Sequence, residues 1–216
     1  MIGKSVDRIF RDRHEAGRVL GEMLADRCSG TDVVVLGLAR GGVPVGLEIA
    51  VRLGAPLDAF VVRKLGVPQW PELAMGAIAS GGGVVVNEQV MRSLHITDAQ
   101  LQAVIAAETD ELHRREAAYR GAAPPPQLTA RTVVLADDGI ATGATMLAAV
   151  RAVRATGPTR VIVAVPVGPT SVYERLRGEA DDVVVAATPR RFEAVGQVFA
   201  DFGQVSDDEV RAALMN

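Results

Sequence analysis

The stretch Val133-Val134-Leu135-Ala136-Asp137-Asp138-Gly139-Ile140-Ala141-Thr142-Gly143-Ala144-Thr145 decides the architecture. An apolar run leads straight into two adjacent carboxylates. A loop of small and hydroxyl-bearing residues follows, and then a helical pattern over Thr145–Ala155. The apolar run does not alternate with polar residues, which is how a strand covered on both faces reads. Similar runs occur at Val33–Leu38, Leu57–Val62, Arg160–Val165 and Asp182–Ala186, and they alternate with helical stretches at Glu15–Asp26, Val45–Arg52 and Ser171–Leu176. Strands and helices in alternation predict an α/β fold, an open and mostly parallel twisted sheet flanked by helices.

Two regions interrupt that rhythm. Residues 63–126 hold a Gly- and Pro-rich part, in which Leu73–Ala79 and Val84–Val86 are expected to pair as a hairpin closed by Gly81-Gly82-Gly83 and to serve as a lid. A long helix is expected over Asp98–Tyr119, capped at Thr97-Asp98, with Leu101, Val104, Ile105 and Leu112 on the face packed onto the main sheet. A Pro-rich linker, Gly121–Pro126, closes the insertion. Residues 188–216 are less regular and are expected to form a small C-terminal hood, ending in a helix whose Ser206 and Glu209 fit a capping box. The whole, residues 1–216, reads as a single domain.

Composition narrows the setting. With 216 residues, about 70% of the unfolded surface can be buried, enough for a full core. Lys and Arg number 23 against 26 Asp and Glu, for a net charge of −3, which argues against a general nucleic-acid binder. One cysteine, Cys28, makes neither an intramolecular disulfide nor a zinc site, and a reducing cytoplasm is expected. The start, Met1–Arg13, lacks an apolar signal-peptide core, and the longest apolar run, Val161–Val167, falls far short of the roughly 20 residues of a membrane span. His14, His95 and His113 have no metal or triad spacing.

The acidic pair and the loop after it carry the chemistry. In an open parallel sheet, ligands bind beyond the carboxyl ends of strands. Backbone N–H groups of a Gly/Ala/Thr loop at a helix N-terminus cradle a phosphate, and the Thr142 and Thr145 hydroxyls add donors. Asp137 and Asp138 repel that phosphate but accept hydrogen bonds from sugar hydroxyls. The segment therefore reads as a site for a phosphorylated sugar. It has neither a Gly-Lys-Ser/Thr ending nor a Gly-x-Gly-x-x-Gly spacing, which excludes Walker A and dinucleotide loops. A second anion loop follows Val33–Leu38 at Ala39-Arg40-Gly41-Gly42, where glycines admit close approach and Arg40 supplies charge. Arg63 and Lys64, at the expected end of the second strand, can neutralise a leaving anion. Glu72 in the lid offers a proton donor or acceptor. Trp70 either stacks on a ring or packs on the lid, and Phe192, Phe199 and Phe202 either line the hood or form a satellite core.

These residues resemble the phosphoribosyl-pyrophosphate motif of type I phosphoribosyltransferases. The likeness extends over nearly the whole chain and is closest to bacterial predicted phosphoribosyltransferases of unassigned base specificity. Arg11-Asp12-Arg13 through Gly17, Ala39–Gly42, Arg63–Gly66 and Asp201-Phe202 through Val205 share it. The resemblance implies that Asp137 and Asp138 hold the ribose hydroxyls, and that Gly139, Ala141, Thr142, Gly143, Ala144 and Thr145 hold the 5′-phosphate. It places pyrophosphate against Ala39, Arg40, Gly41, Arg63 and Lys64, with the Ala39-Arg40-Gly41 loop often carrying a cis peptide. It implies Mg²⁺, with Asp137 and Asp138 reaching the ion through water, and a nitrogenous base as acceptor. A homodimer is also implied, and neither nucleic acid nor membrane is an expected partner. Ala141 stands where the hypoxanthine-guanine type has an aspartate base, so that mechanism is disfavoured. Two alternatives share the pocket: a non-enzymatic sensor of nucleotide or phosphoribosyl pyrophosphate, and a ribose-phosphate phosphorylase or hydrolase.

Overall fold

The computed structural model describes residues 9–121 and 123–215. Residues 1–8 of the start, Ala122 of the linker and Asn216 lie outside the described residues. Five parallel strands form the main sheet in the order β2-β1-β6-β7-β8: β1 (Val33–Leu38), β2 (Leu57–Phe60), β6 (Thr132–Ala136), β7 (Arg160–Val167) and β8 (Asp182–Ala187). Every residue of β1 and β6 is buried, as their unbroken apolar runs require. Alternate residues serve opposite layers. Val33, Val35, Val134 and Ile162 meet α1 (Arg13–Ala25) and α2 (Gly42–Leu53) through Leu20, Leu24, Val45 and Ile49. Val34, Leu36, Val133 and Leu135 meet α5 (Ala144–Ala155) and α6 (Thr170–Arg177) through Met146, Val150, Val172 and Leu176.

Three antiparallel strands, β3 (Val62–Val67), β4 (Trp70–Ala79) and β5 (Gly83–Val86), form a second sheet. The turn at Gly81-Gly82, both with positive φ, closes the expected hairpin. The expected second strand, Leu57–Val62, corrects to a strand that leaves the main sheet after Phe60. Val61 and Ser80 lock the exit: the Val61 amide donates to Ser80 Oγ at 2.9 Å, and the Ser80 amide donates to the Val61 carbonyl at 2.8 Å. The region read as a lid has one buried face, while Trp70–Leu73 at its tip are exposed. Its Leu65, Val67, Met75 and Ile78 are buried with Leu112 and Tyr119 of α4 (Asp98–Arg120) and Val210 of α7 (Asp207–Leu214). Helix α4 therefore covers the second sheet, although the sequence reading put it on the main one. Its Leu101, Val104 and Ile105 do lie on the packed side. A short helix, α3 (Glu88–Ser93), was not anticipated. Cys28 is buried, which pushes its thiol up and disfavours thiolate chemistry.

Candidate active site

Strand order reverses between β1 and β6: the chain goes from β1 to β2 on one side, and from β6 to β7 and β8 on the other. That switch point opens a crevice at the carboxyl ends of the two strands. Both anion loops read from the sequence emerge there and touch. A Cβ on Gly41 would stand 2.1 Å from Asp138 Oδ2, and one on Gly42 would stand 2.4 Å from the Ala136 carbonyl. A side chain at Gly42 would run into backbone, and one at Gly41 would displace the Asp138 carboxylate. The Ala39–Arg40 peptide is cis.

Asp137 and Asp138 follow β6 directly, and the Asp138 amide donates to Asp137 Oδ1 at 2.9 Å. Desolvation first, and the neighbouring Asp138 charge second, push the Asp137 carboxyl well above the usual carboxylate range. The loop then turns through Gly143, whose φ of +76° favours glycine, into the N-terminus of α5. Ala141, Thr142, Ala144 and Thr145 are exposed and accessible to a ligand.

The basic residues divide into two groups. Arg63 and Lys64 sit on β3 in the second sheet, not at the end of a main-sheet strand, because the chain crosses over at Val61. With Ala144 and Thr145 they line one cleft of about 830 Å³ between that sheet and α5. Arg63 is tied to Glu108 at 2.7 Å, and Lys64 Nζ donates to the Glu72 carbonyl at 2.9 Å with the Glu72 carboxylate at 3.6 Å. Glu72 itself is fully exposed on β4, and Trp70 is exposed beside it. The Arg40 side chain turns the other way, toward Asp207 on α7 at 3.6 Å.

Sequence reading missed a set of partners around Asp138. Arg13, the first residue of α1, contacts Asp138 Oδ2 through Nε at 2.9 Å and Nη2 at 2.7 Å. Its Nη1 donates to the Gly203 carbonyl at 2.8 Å, and its guanidinium lies 3.9 Å over the Phe202 ring. Phe199 stacks against Phe202 at 4.8 Å. Phe202 thus contacts Arg13 as well as a second ring, while Phe192, Val198 and Phe199 pack around Phe10 in a satellite core. Arg175 of α6 also went unnoticed; it donates to the Thr142 carbonyl and so braces the phosphate-loop candidate. The signal for Arg13 and Phe202 lay in the two terminal stretches that share the resemblance, but no local spacing linked them.

For a metal, the oxygen donors are limited. Among the described residues no group of three or more His, Cys, Asp or Glu could hold an ion. Asp138 Oδ2 is already engaged by Arg13. The donor set suits a hard cation that arrives on substrate oxygens and keeps most of its waters.

An acidic loop and a basic loop thus meet at the switch point of a parallel sheet, the place where open α/β proteins bind their ligands. The model of the phosphoribosyl transferase domain matches residues 5–196, and the chain belongs to that family. Two Mycobacterium tuberculosis proteins, from strains CDC 1551 and H37Rv, each named "Putative phosphoribosyl transferase", are 51% identical over 207 residues, 96% of this chain. The chain spans about half of their length, 46%. The crystal structure of TT1426 from Thermus thermophilus superposes with a TM-score of 0.84 at 45% identity, covering 96% of this chain and 98% of that one. A purine phosphoribosyltransferase from Pyrococcus horikoshii shares the fold, with a TM-score of 0.50 at 16% identity over 93% of this chain and 99% of that one. No helix among the described residues is long and apolar enough to cross a membrane.

Proposed function

We propose that the protein transfers a phosphoribosyl group from phosphoribosyl pyrophosphate to a nitrogenous base. The observation that carries this reading is the juxtaposition of the Asp137-Asp138 pair with the Ala39–Gly42 loop at one switch point. Asp137 and Asp138 accept from the ribose hydroxyls, and the loop from Gly139 to Thr145 holds the 5′-phosphate on its backbone N–H groups. The Ala39-Arg40-Gly41 backbone takes the pyrophosphate, helped by Arg63 and Lys64, which share a cleft with Ala144 and Thr145 of the phosphate loop. Arg40, Lys64 and Glu72 are the proposed catalytic side chains, with Glu72 as a proton donor or acceptor. Mg²⁺ bound with the substrate would supply charge neutralisation on the phosphate oxygens, with Asp137 and Asp138 touching its water shell.

In the step itself a ring nitrogen of the base donates its lone pair to C1 of the ribose. The C1–O bond breaks, and its electron pair leaves on pyrophosphate. A proton carried by that nitrogen passes to solvent. The protein contributes position and electrostatics, not covalent chemistry. We place the enzyme in the cytoplasm, as a single domain over 1–216 that forms homodimers.

Titration calorimetry with phosphoribosyl pyrophosphate and Mg²⁺ tests the reading. Asp137→Asn and Asp138→Asn should each weaken binding at least tenfold with the fold intact, since hydrogen bonds to a charged acceptor contribute about 1.5–3 kcal/mol. Wild-type affinity in both variants would overturn it. Release of ribose phosphate without an acceptor would point instead to the hydrolase alternative.

A further inference from the structure

The loop ahead of α5 meets its ligand mainly with backbone. Gly143, the N-cap of α5, has no side chain to cap the helix. A helix start leaves its first amides without intrahelical partners. Among the described residues, the amides of Gly143, Thr145 and Met146 have no protein acceptor, and the Ala144 amide reaches the Thr142 hydroxyl at 3.5 Å.

The same loop also carries an oxygen that an anion must not meet. The Thr142 carbonyl stands one residue ahead of the cap. The first helical amide bond, from Leu147, goes to the Gly143 carbonyl at 2.9 Å, so no amide of α5 engages Thr142. In a trans peptide unit the C=O and the following N–H lie in one plane and point in opposite directions. The Thr142 carbonyl and the Gly143 N–H belong to one such unit. Whatever holds the carbonyl therefore aims the amide.

Arg175 holds it. Its Nη2 donates to the Thr142 carbonyl. The platform is firm, because Val172, Tyr173 and Leu176 of α6 are buried. Loop and helix are in direct contact: a Cβ on Gly143 would stand 2.6 Å from Val172 Cγ1 and 3.0 Å from Arg175 Nη2. Arg175 itself is exposed and has no carboxylate partner among the described residues. Arg177, the other cation in the last turn of α6, lies over the Tyr173 ring at 5.8 Å instead. Favouring the helix C-terminus is common to both arginines; the bond to the loop belongs to Arg175.

We propose that Arg175 is a positioning residue for the donor's 5′-phosphate. By holding the Thr142 carbonyl on the α6 side, it keeps that oxygen out of the anion cradle and turns the Gly143 N–H toward the phosphate. The proposal rests on the phosphoribosyl-transfer reading of the site. Arg175 acts through the loop, so its effect is confined to ligands that carry the 5′-phosphate.

Calorimetry with three ligands tests this: phosphoribosyl pyrophosphate with Mg²⁺, ribose 5-phosphate, and inorganic pyrophosphate with Mg²⁺. Arg175→Gln should weaken the first two by a common factor of about 10- to 100-fold, the range for a lost charged hydrogen bond, and leave pyrophosphate unaffected. Arg175→Lys still offers the carbonyl an N–H and should recover part of the loss. Arg177→Gln should change nothing. Circular dichroism checks that each variant folds; if Arg175→Gln does not, a smaller loss with the same ligand selectivity in Arg175→Lys decides. Wild-type affinity for ribose 5-phosphate in the Arg175 variants overturns the proposal. An equal loss for pyrophosphate overturns it too, as does an equal loss in Arg177→Gln. A wild type that binds neither phosphoribosyl pyrophosphate nor ribose 5-phosphate removes the underlying reading, and the proposal falls with it.

Discussion

Adding one methyl group at Gly41 should disable the site without harming the fold. The Cβ of Gly41→Ala would stand 2.1 Å from Asp138 Oδ2 and 2.6 Å from its Cγ. Real Cβ contacts do not come closer than 3.0 Å, so the carboxylate must retreat by at least about 0.9 Å. A misplacement near 1 Å in a positioned group costs about 10²-fold, or about 2.7 kcal/mol. The backbone itself accepts alanine, because Gly41 has φ −60° and ψ −31° at the cap of α2. Replacing glycine in such a conformation stabilises by about 0.4–1 kcal/mol through the unfolded chain. That gain offsets part of the disturbance to the Arg13–Asp138 pair. The melting temperature should therefore stay within about 4 °C, given a shift of about 2–4 °C per kcal/mol at this size. Calorimetry should show donor affinity falling about 100-fold. Affinity within threefold of wild type would refute the claim that Asp138 must occupy its present place.

Other perturbations probe the neighbours. Arg13→Gln strips Asp138 of its cation and raises Asp137 further, since Arg13 holds that carboxyl down; donor affinity should fall about 10- to 100-fold by calorimetry, with Arg13→Lys intermediate. Gly17→Ala should lower stability by about 1–3 kcal/mol in denaturant melts, because its Cβ would meet the Val45 carbonyl of α2 at 2.6 Å; an unchanged midpoint would mean that α1 can shift freely. Arg114 first, and Arg115 next, hold Glu111 at about 2, below its ordinary 4.5. A depressed acid stabilises the fold above the unfolded value and loses that contribution as pH falls through the folded one. Thermal melts of Glu111→Gln and wild type should thus differ above pH 4.5 and converge toward pH 2; curves that stay parallel would contradict the pairing.

What the sequence made legible follows from how local each signal is. The strands of the main sheet were readable because burial on both faces demands unbroken apolar runs, and Val33–Leu38 was placed to the residue. The two anion loops were readable because each is a contiguous strand–loop–helix unit. The departure at Val61 was not, since the apolar run Leu57–Val62 continues across two sheets and the break is set by a bond to Ser80. The buried face of β3–β5 was hidden by their glycines and prolines, which do not form an apolar run. Gly66 and Gly76 instead admit close backbone approach, to the Pro71 carbonyl and the Val85 carbonyl. Arg13 was invisible as a site residue because its partner lies 125 positions away and its carbonyl acceptor 190.

Those separations bear on when the site comes into being during folding. Contacts between distant positions are made late, after the entropy of closing large loops has been met. Both site loops depend on such contacts: Asp138 on Arg13, Arg13 on Gly203, and Arg40 on Asp207. The bridge between Phe10 and Phe199 joins the same two distant segments. A partly folded chain can therefore complete its central sheet and still lack the arrangement that presents the paired carboxylates. Ligand capacity would then appear with the last cooperative step, so refolding followed by donor binding should lag refolding followed by helix content.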